Sequence, residues 1–84
     1  MIKQELDTDG YCFSYDLGLS ATLVSTGCEL VALDKTNPHK VQFIFKKTVD
    51  IDKKIEDYWS NNLLIPARSL FDNAKMLKNR IYSE

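Results

Sequence analysis

Residues 28–47 read CELVALDKTNPHKVQFIFKK, two apolar runs on either side of a turn, and this stretch decides the fold. In the second run Val41, Phe43 and Phe45 alternate with other side chains. Because successive strand side chains point to opposite faces of a sheet, we predict that these three face the core. Asp34 and Asn37-Pro38 between the runs favour a turn. The stretch therefore predicts a β-hairpin with a loop of about four to six residues.

The two strands of this hairpin differ in pattern. In the first run Leu30 and Ala32 alternate with Val31 and Leu33, so both faces are apolar. A strand that is buried on both sides has this composition, which predicts a more central position in the sheet. In the second run Ile44 falls on the face opposite the phenylalanines, and this face is expected to be partly wet.

Upstream of the hairpin, the pattern predicts a strand and a helix. Residues 11–15 place Tyr11, Phe13 and Tyr15 on one side of a short strand. Asp16 is suited to cap a helix over about residues 17–26, with an apolar stripe of Leu19, Leu23 and Val24. Gly27 is suited to end that helix in a left-handed conformation.

Downstream of the hairpin, two further helices are predicted. The first starts after a Thr48 or Asp50 cap and ends at Asn61-Asn62, since Asn tolerates the left-handed region. Its core side is expected to carry Ile51, Ile55, Tyr58 and Trp59. The second runs over about residues 66–82 from Pro66, because apolar residues recur there at helical spacing. The recurring residues are Leu70, Ala74, Leu77 and Ile81.

The element order β-α-β-β-α-α predicts an α+β fold, a short three-stranded antiparallel sheet with helices packed on one face. The 84 residues suffice for one domain, which we place at residues 11–84 after a polar N-terminal tail at residues 1–10. The opening MIKQELDTDG has no apolar stretch and no run approaches a membrane span, so we expect a cytoplasmic protein without a membrane partner.

Catalytic and metal chemistry find little support in the sequence. Cys12 and Cys28 are too far apart for a metal or redox motif, and both are expected to be buried thiols. His39 has no second ligand or nucleophile nearby in a motif. We therefore predict a protein that is not an enzyme, with no metal, no cofactor and no small-molecule ligand implied.

Two classes of binding function stay open. A formal net charge of −1 does not indicate any class of binding partner. The hairpin and the last helix are nevertheless locally basic. If they share an edge, they form a basic patch for nucleic acid. The candidate residues of that patch are Lys35, Lys40, Lys46, Arg68, Lys75 and Lys78. The other class is a non-catalytic module that binds a protein partner or self-associates, for which Ile44, Tyr58 and Trp59 are the candidate contacts.

Four segments carry a family resemblance: SYDLGLSATLVSTG, NPHKVQFIF, IEDYW and PARSLFDNAKMLKNRIY. In them the chain resembles a small family found in bacteria, archaea and phages and catalogued only as a domain of unknown function. The resemblance covers nearly all of the chain after Gly10. It implies a shared fold and transfers no catalytic residue, while the phage members suggest a regulatory or counter-defence role in a phage or other mobile element.

Overall fold

The computed structural model describes residues 10–83, so the predicted tail lies almost wholly outside the described residues. The α+β prediction is confirmed, with three strands and three helices in the expected order. The strands are β1 (Tyr11–Ser14), β2 (Leu30–Asp34) and β3 (Gln42–Lys46), and the helices are α1 (Leu17–Ser25), α2 (Ile51–Trp59) and α3 (Ala67–Tyr82). Both sheet pairings are antiparallel.

The central strand is β3, because the sheet order is β1-β3-β2. The prediction that the Cys28–Leu33 run is central was therefore wrong. A β-bulge explains its two-sided apolar pattern: Leu30 pairs with Phe45, but the next paired residue is Ala32, opposite Ile44. The extra residue, Val31, is 44% exposed. Side-chain parity changes at a bulge.

Because of this parity change, Leu30 and Leu33 lie on the same side of the sheet, opposite Phe45 and Phe43 respectively. Both leucines are partly buried against the core. The edge strand β2 thus supplies two core residues without being buried on both faces, and its bulge interrupts the regular edge that another strand would need for pairing.

One face of the sheet is buried as predicted. Phe43 and Phe45 are almost fully buried, and Val41 is half-buried just before the strand. Their partners in β1, Ser14 and Cys12, are buried on the same face. The hairpin loop occupies residues 35–41, slightly more than expected. Its turn is stabilised by two local hydrogen bonds, in which the Asp34 and Asn37 side chains accept from the backbone two residues ahead.

Helix α1 is buried on more sides than its predicted apolar stripe required. Five consecutive residues, Leu19–Leu23, are buried. A helix that is buried all round lies between other layers. Here the other layers are the sheet and the two remaining helices: Asn73 of α3 donates to the Ser25 hydroxyl of α1 at 2.9 Å, and Tyr58 of α2 lies against Gly18. Small residues on α1 permit this close approach.

Both ends of α1 and the end of α2 follow the predicted cap chemistry. At the start of α2, by contrast, Asp50 is the N-cap residue but its side chain makes no capping hydrogen bond, and Pro66 precedes α3 as its N-cap. The Asp16 carboxylate accepts a hydrogen bond from the Leu19 amide at 2.7 Å at the start of α1. At its end Gly27 has a φ of 97°, and the Cys28 amide donates to the Leu23 carbonyl at 2.9 Å. Helix α2 ends in the same way with Asn61 at a φ of 63°. These closures satisfy carbonyls that the helix itself leaves unpaired.

Candidate functional site

The six predicted nucleic-acid residues separate into three places. Lys40 and Lys46 belong to the sheet side, and Arg68, Lys75 and Lys78 lie along α3. Lys35 in the hairpin loop reaches the end of α3, where its ammonium donates to the Arg80 and Ser83 carbonyls at 2.6 and 2.8 Å. The hairpin and the last helix do meet, as the patch required.

The positive charge of Lys35 is partly neutralised by this contact with the end of α3. A helix C-terminus has unpaired carbonyls and a partial negative charge, and both favour a nearby cation. The lysine therefore acts first as a tie between the loop and the helix. Arg68 lies near the other end of α3, twelve residues from Arg80 and hence about 18 Å away along the axis. A single compact patch of all six cations does not form.

The sheet face that turns away from the helices forms an apolar surface, which we call the open face. Its central row runs across the sheet through the paired residues Phe13, Ile44 and Ala32, all of them half-buried. Tyr11 and Tyr15 on either side of Phe13 are exposed, as is Val31. The predicted contact Ile44 thus lies at the centre of an apolar patch that also contains two aromatic residues of β1, Tyr11 and Phe13, and Tyr15 just after it.

Charged side chains border the open face at both ends. At one end Tyr11 pairs with Lys46, whose amide donates to the Glu29 carbonyl at 3.0 Å. At the other end Asp34 pairs with Gln42, and the Lys40 ammonium lies 4.6 Å from the centre of the Tyr15 ring. That distance permits a cation–π interaction. The acidic residues Glu29 and Asp34 belong to the β2 edge.

The other two predicted contacts, Tyr58 and Trp59, form an edge-to-face pair with ring centroids 4.9 Å apart. Trp59 is 43% exposed, so the expectation that its indole packs in the core was wrong. Adjacent helical positions point about 100° apart, and α2 turns only one of the two rings inward. Tyr58 is half-buried.

The tyrosine hydroxyl of Tyr58 fits against the start of α1. A Cβ on Gly18 would come within 2.5 Å of this oxygen, so only glycine leaves room for it. Burial raises the pKa of Tyr58 above its usual value, and the neighbouring negative charge of Asp16 raises it further. The arrangement keeps the hydroxyl neutral and identifies Tyr58 as a packing residue between α1 and α2.

A small cleft of about 170 Å³ opens beside this contact. Its lining residues are Thr22, Tyr58, Asn61, Leu63, Ile65 and Leu70. Typical small-molecule pockets have volumes of about 300–1,000 Å³, so the cleft is small for a ligand site. Within residues 10–83 no three His, Cys, Asp or Glu side chains are placed to hold a metal ion.

Sequence reasoning missed two exposed aromatic residues, Phe71 and Tyr82 on α3. They are separated by three helical turns, with Lys75 and Lys78 between them. These four residues recur at spacing i, i+4, i+7 and i+11, so a search for a second stripe beside the core stripe would have identified them. The row of Tyr11, Phe13 and Tyr15 was visible in the sequence, but its exposure was not.

Of the helices in the described part of the chain, none is long and apolar enough to cross a membrane. Both cysteines are buried thiols, as predicted.

A search of the curated proteins and a search of the solved structures returned no significant similarity. The family model described as "Domain of unknown function (DUF5659)" matches residues 11–83, which span all three strands and all three helices. The match confirms the family resemblance and covers the open face, the α1–α2 contact and the whole of α3. The chain therefore belongs to the DUF5659 family.

Proposed function

We propose that this chain is a non-catalytic protein-interaction module that self-associates through the open face of its sheet. The observation that carries the proposal is the uncovered apolar row of Phe13, Ile44 and Ala32, flanked by exposed Tyr11 and Tyr15. Monomeric proteins rarely leave large contiguous apolar patches in water, and such patches mark interaction sites.

Hydrogen-bond complementarity between tyrosines and carboxylates favours a second copy of the chain as the occupant, although Lys46 of β3 meets its own equivalent at the edge of such an interface. Rotating a copy by 180° about an axis parallel to the strands places β1 over β2 of the copy, because β3 lies between them. The Tyr11 and Tyr15 hydroxyls then approach Glu29 and Asp34 of the copy, respectively. Phenol groups donate hydrogen bonds to carboxylates. Ile44 lies close to the axis and meets its own equivalent, as a two-fold interface requires.

The size of the face determines how strong this association is. Three strands about 4.8 Å apart and about five residues long form a face of roughly 14 by 17 Å. Stable complexes bury about 800 Å² on each partner, so this face supports a weak, concentration-dependent dimer. The formal net charge of −1 opposes association little.

Sedimentation velocity over protein concentrations from about 10 µM to about 1 mM tests the proposal, a range that detects weak dissociation constants. We expect the mean sedimentation coefficient to rise with concentration for the parent protein. Ile44→Lys should abolish the rise, because it puts two like charges at the centre of the apolar contact, in addition to the two Lys46 side chains that meet at the exposed end of the axis. Val49→Lys is the matched control, since Val49 is fully exposed between β3 and α2.

A protein that stays monomeric at every concentration would contradict self-association. Equal effects of Ile44→Lys and Val49→Lys would place the interface elsewhere. If residues 1–9 of the same chain occupied the open face, the parent protein would also be monomeric. A variant without these residues would then show a sedimentation coefficient that rises with concentration.

A regulatory role, a cytoplasmic location and a phage or other mobile-element setting belong to the same proposal. The family resemblance supports the regulatory role and the phage setting, and the cytoplasmic location is supported by the finding that no helix among residues 10–83 is long and apolar enough to cross a membrane.

A further inference from the structure

Helix α3 presents a second surface that the open-face proposal does not use. Its residues lie at spacing i, i+3, i+7, i+10 and i+14, which brings them onto one side of the helix. In chain order they are Arg68, Phe71, Lys75, Lys78 and Tyr82. We call this set the outer stripe. All five are exposed, and they extend along about 21 Å of the helix axis.

The outer stripe alternates cations with aromatic rings. The Lys75 ammonium lies 5.3 Å from the centre of the Phe71 ring. Phe71 is 64% exposed and Tyr82 is 82% exposed, although both are large rings on a helix whose other side supplies the core. Two exposed aromatic rings beside lysines are unusual for a face that serves only solubility, where charged side chains alone suffice.

The acidic charge next to the outer stripe is small. Asp72 is the one carboxylate within α3, and it lies 3.7 Å from the guanidinium of Arg68, one turn before it near the start of the helix. Lys75 and Lys78 are closer to the middle of the helix, where α3 carries no acidic residue. The local charge is therefore positive although the whole chain has a formal net charge of −1.

We propose that the outer stripe binds single-stranded nucleic acid, with the lysines on phosphates and the rings of Phe71 and Tyr82 stacked on bases. Surfaces that bind single strands combine positive charge along the backbone with aromatic side chains on which bases stack. A duplex hides the faces of its bases, so the exposed rings favour a single strand. The two rings lie eleven residues apart, about 16 Å along the helix, which leaves room for nucleotides between them.

Fluorescence anisotropy with labelled 12-nucleotide oligo-dT and oligo-rU is the direct test. With about three phosphate contacts, the logarithm of the binding constant should fall with the logarithm of the salt concentration with a slope of about −2. A change from about 50 to about 200 mM salt then weakens binding about 16-fold. The DNA and RNA probes distinguish the two sources of a single strand.

The decisive comparison uses two double variants with the same change of charge. Lys75→Gln with Lys78→Gln should flatten the salt slope to about −0.7, because only the arginine contact remains. Lys40→Gln with Lys46→Gln removes two lysines from the sheet side and should leave the slope unchanged. Phe71→Ala and Tyr82→Ala should each weaken binding about fivefold or more through lost stacking. Circular dichroism and thermal melts check that all variants fold.

Four results would overturn the proposal. These are no binding by the parent protein at low salt, equal losses in the two lysine pairs, equal binding of a 12-base-pair duplex, and equal binding of polyglutamate or anionic vesicles. The last of these would show a general anion surface. The variants of the outer stripe lie outside the open face, whereas Lys40 and Lys46 border it, so the two lysine pairs are compared at protein concentrations below those at which the sedimentation coefficient rises.

Discussion

At the residue scale, the contact between Tyr58 and Gly18 determines how closely α1 and α2 pack. A glycine inside a helix normally costs roughly 1 kcal/mol relative to alanine. Here the Tyr58 hydroxyl fills the space that a Cβ on residue 18 would need. Such a Cβ would lie 2.5 Å from the hydroxyl oxygen and 3.7 Å from the ring carbon to which that oxygen is bonded. The cost of glycine is therefore tied mainly to this oxygen atom, with Asp16 Oδ1 at 3.3 Å as a second close neighbour.

A double-mutant cycle tests this account. In the parent background we expect Gly18→Ala to lower the free energy of unfolding, by about 1–3 kcal/mol, as overpacking usually does. In a Tyr58→Phe background the same substitution should lower it clearly less, because only the 3.3 Å approach of the Cβ to Asp16 Oδ1 then remains and the higher helix propensity of alanine, about 1 kcal/mol at most, offsets it. Urea unfolding of the parent, the two single variants and the double variant gives the coupling free energy between positions 18 and 58. Equal effects of Gly18→Ala in both backgrounds would show that the hydroxyl does not limit the packing.

At the element scale, strand β3 holds the sheet together because it pairs with both other strands. Its two faces have different environments: Phe43 is buried among the core residues, whereas Gln42 is only half-buried and points to the opposite side. The strand therefore predicts different costs for truncating adjacent side chains.

Phe43→Ala should lower the free energy of unfolding by roughly 3–5 kcal/mol, through lost transfer free energy and a residual cavity. For a chain of this length the total is about 4–12 kcal/mol, so the variant would lose much of its stability. Gln42→Ala should cost about 0.5 kcal/mol or less, as surface substitutions do. Circular dichroism during urea unfolding is the measurement, since the exposed Trp59 reports poorly on the core. Equal costs at both positions would mean that the strand is covered on both sides.

The elements also show what the sequence could and could not predict. The helix ends followed from local chemistry at Asp16, Gly27 and Asn61, each of which satisfies backbone groups within its own segment. The strand order did not, because the bulge at Val31 produces the same apolar pattern as burial on both faces. A bulged edge strand and a strand buried on both faces can be told apart only by knowing which strands pair with it, and the local sequence does not contain this information. The exposure of Trp59 likewise depends on where α2 packs and not on its own periodicity.

At the scale of the whole molecule, the layers separate the two candidate surfaces. The helices cover the face of the sheet that carries Phe43 and Phe45, and the opposite face is the one on which we propose that a second copy binds. The outer stripe lies on α3, within the helical layer. The predicted patch of six cations is divided between these layers, and Lys35 of the hairpin loop bonds the C-terminal end of α3, far from Arg68 at its start. Long-range packing of this kind is not encoded in local charge.

The central claim, that the open face is the binding surface, is tested most directly by a dilution series followed by NMR. The account predicts that the Ile44 methyl and the Phe13 ring signals shift together with concentration and fit one dimerisation constant. The methyl signals of Leu64, which is exposed in the α2–α3 connection, should stay unchanged and serve as the control. Concentration-independent signals at Ile44 and Phe13, or equal shifts at Leu64, would contradict it.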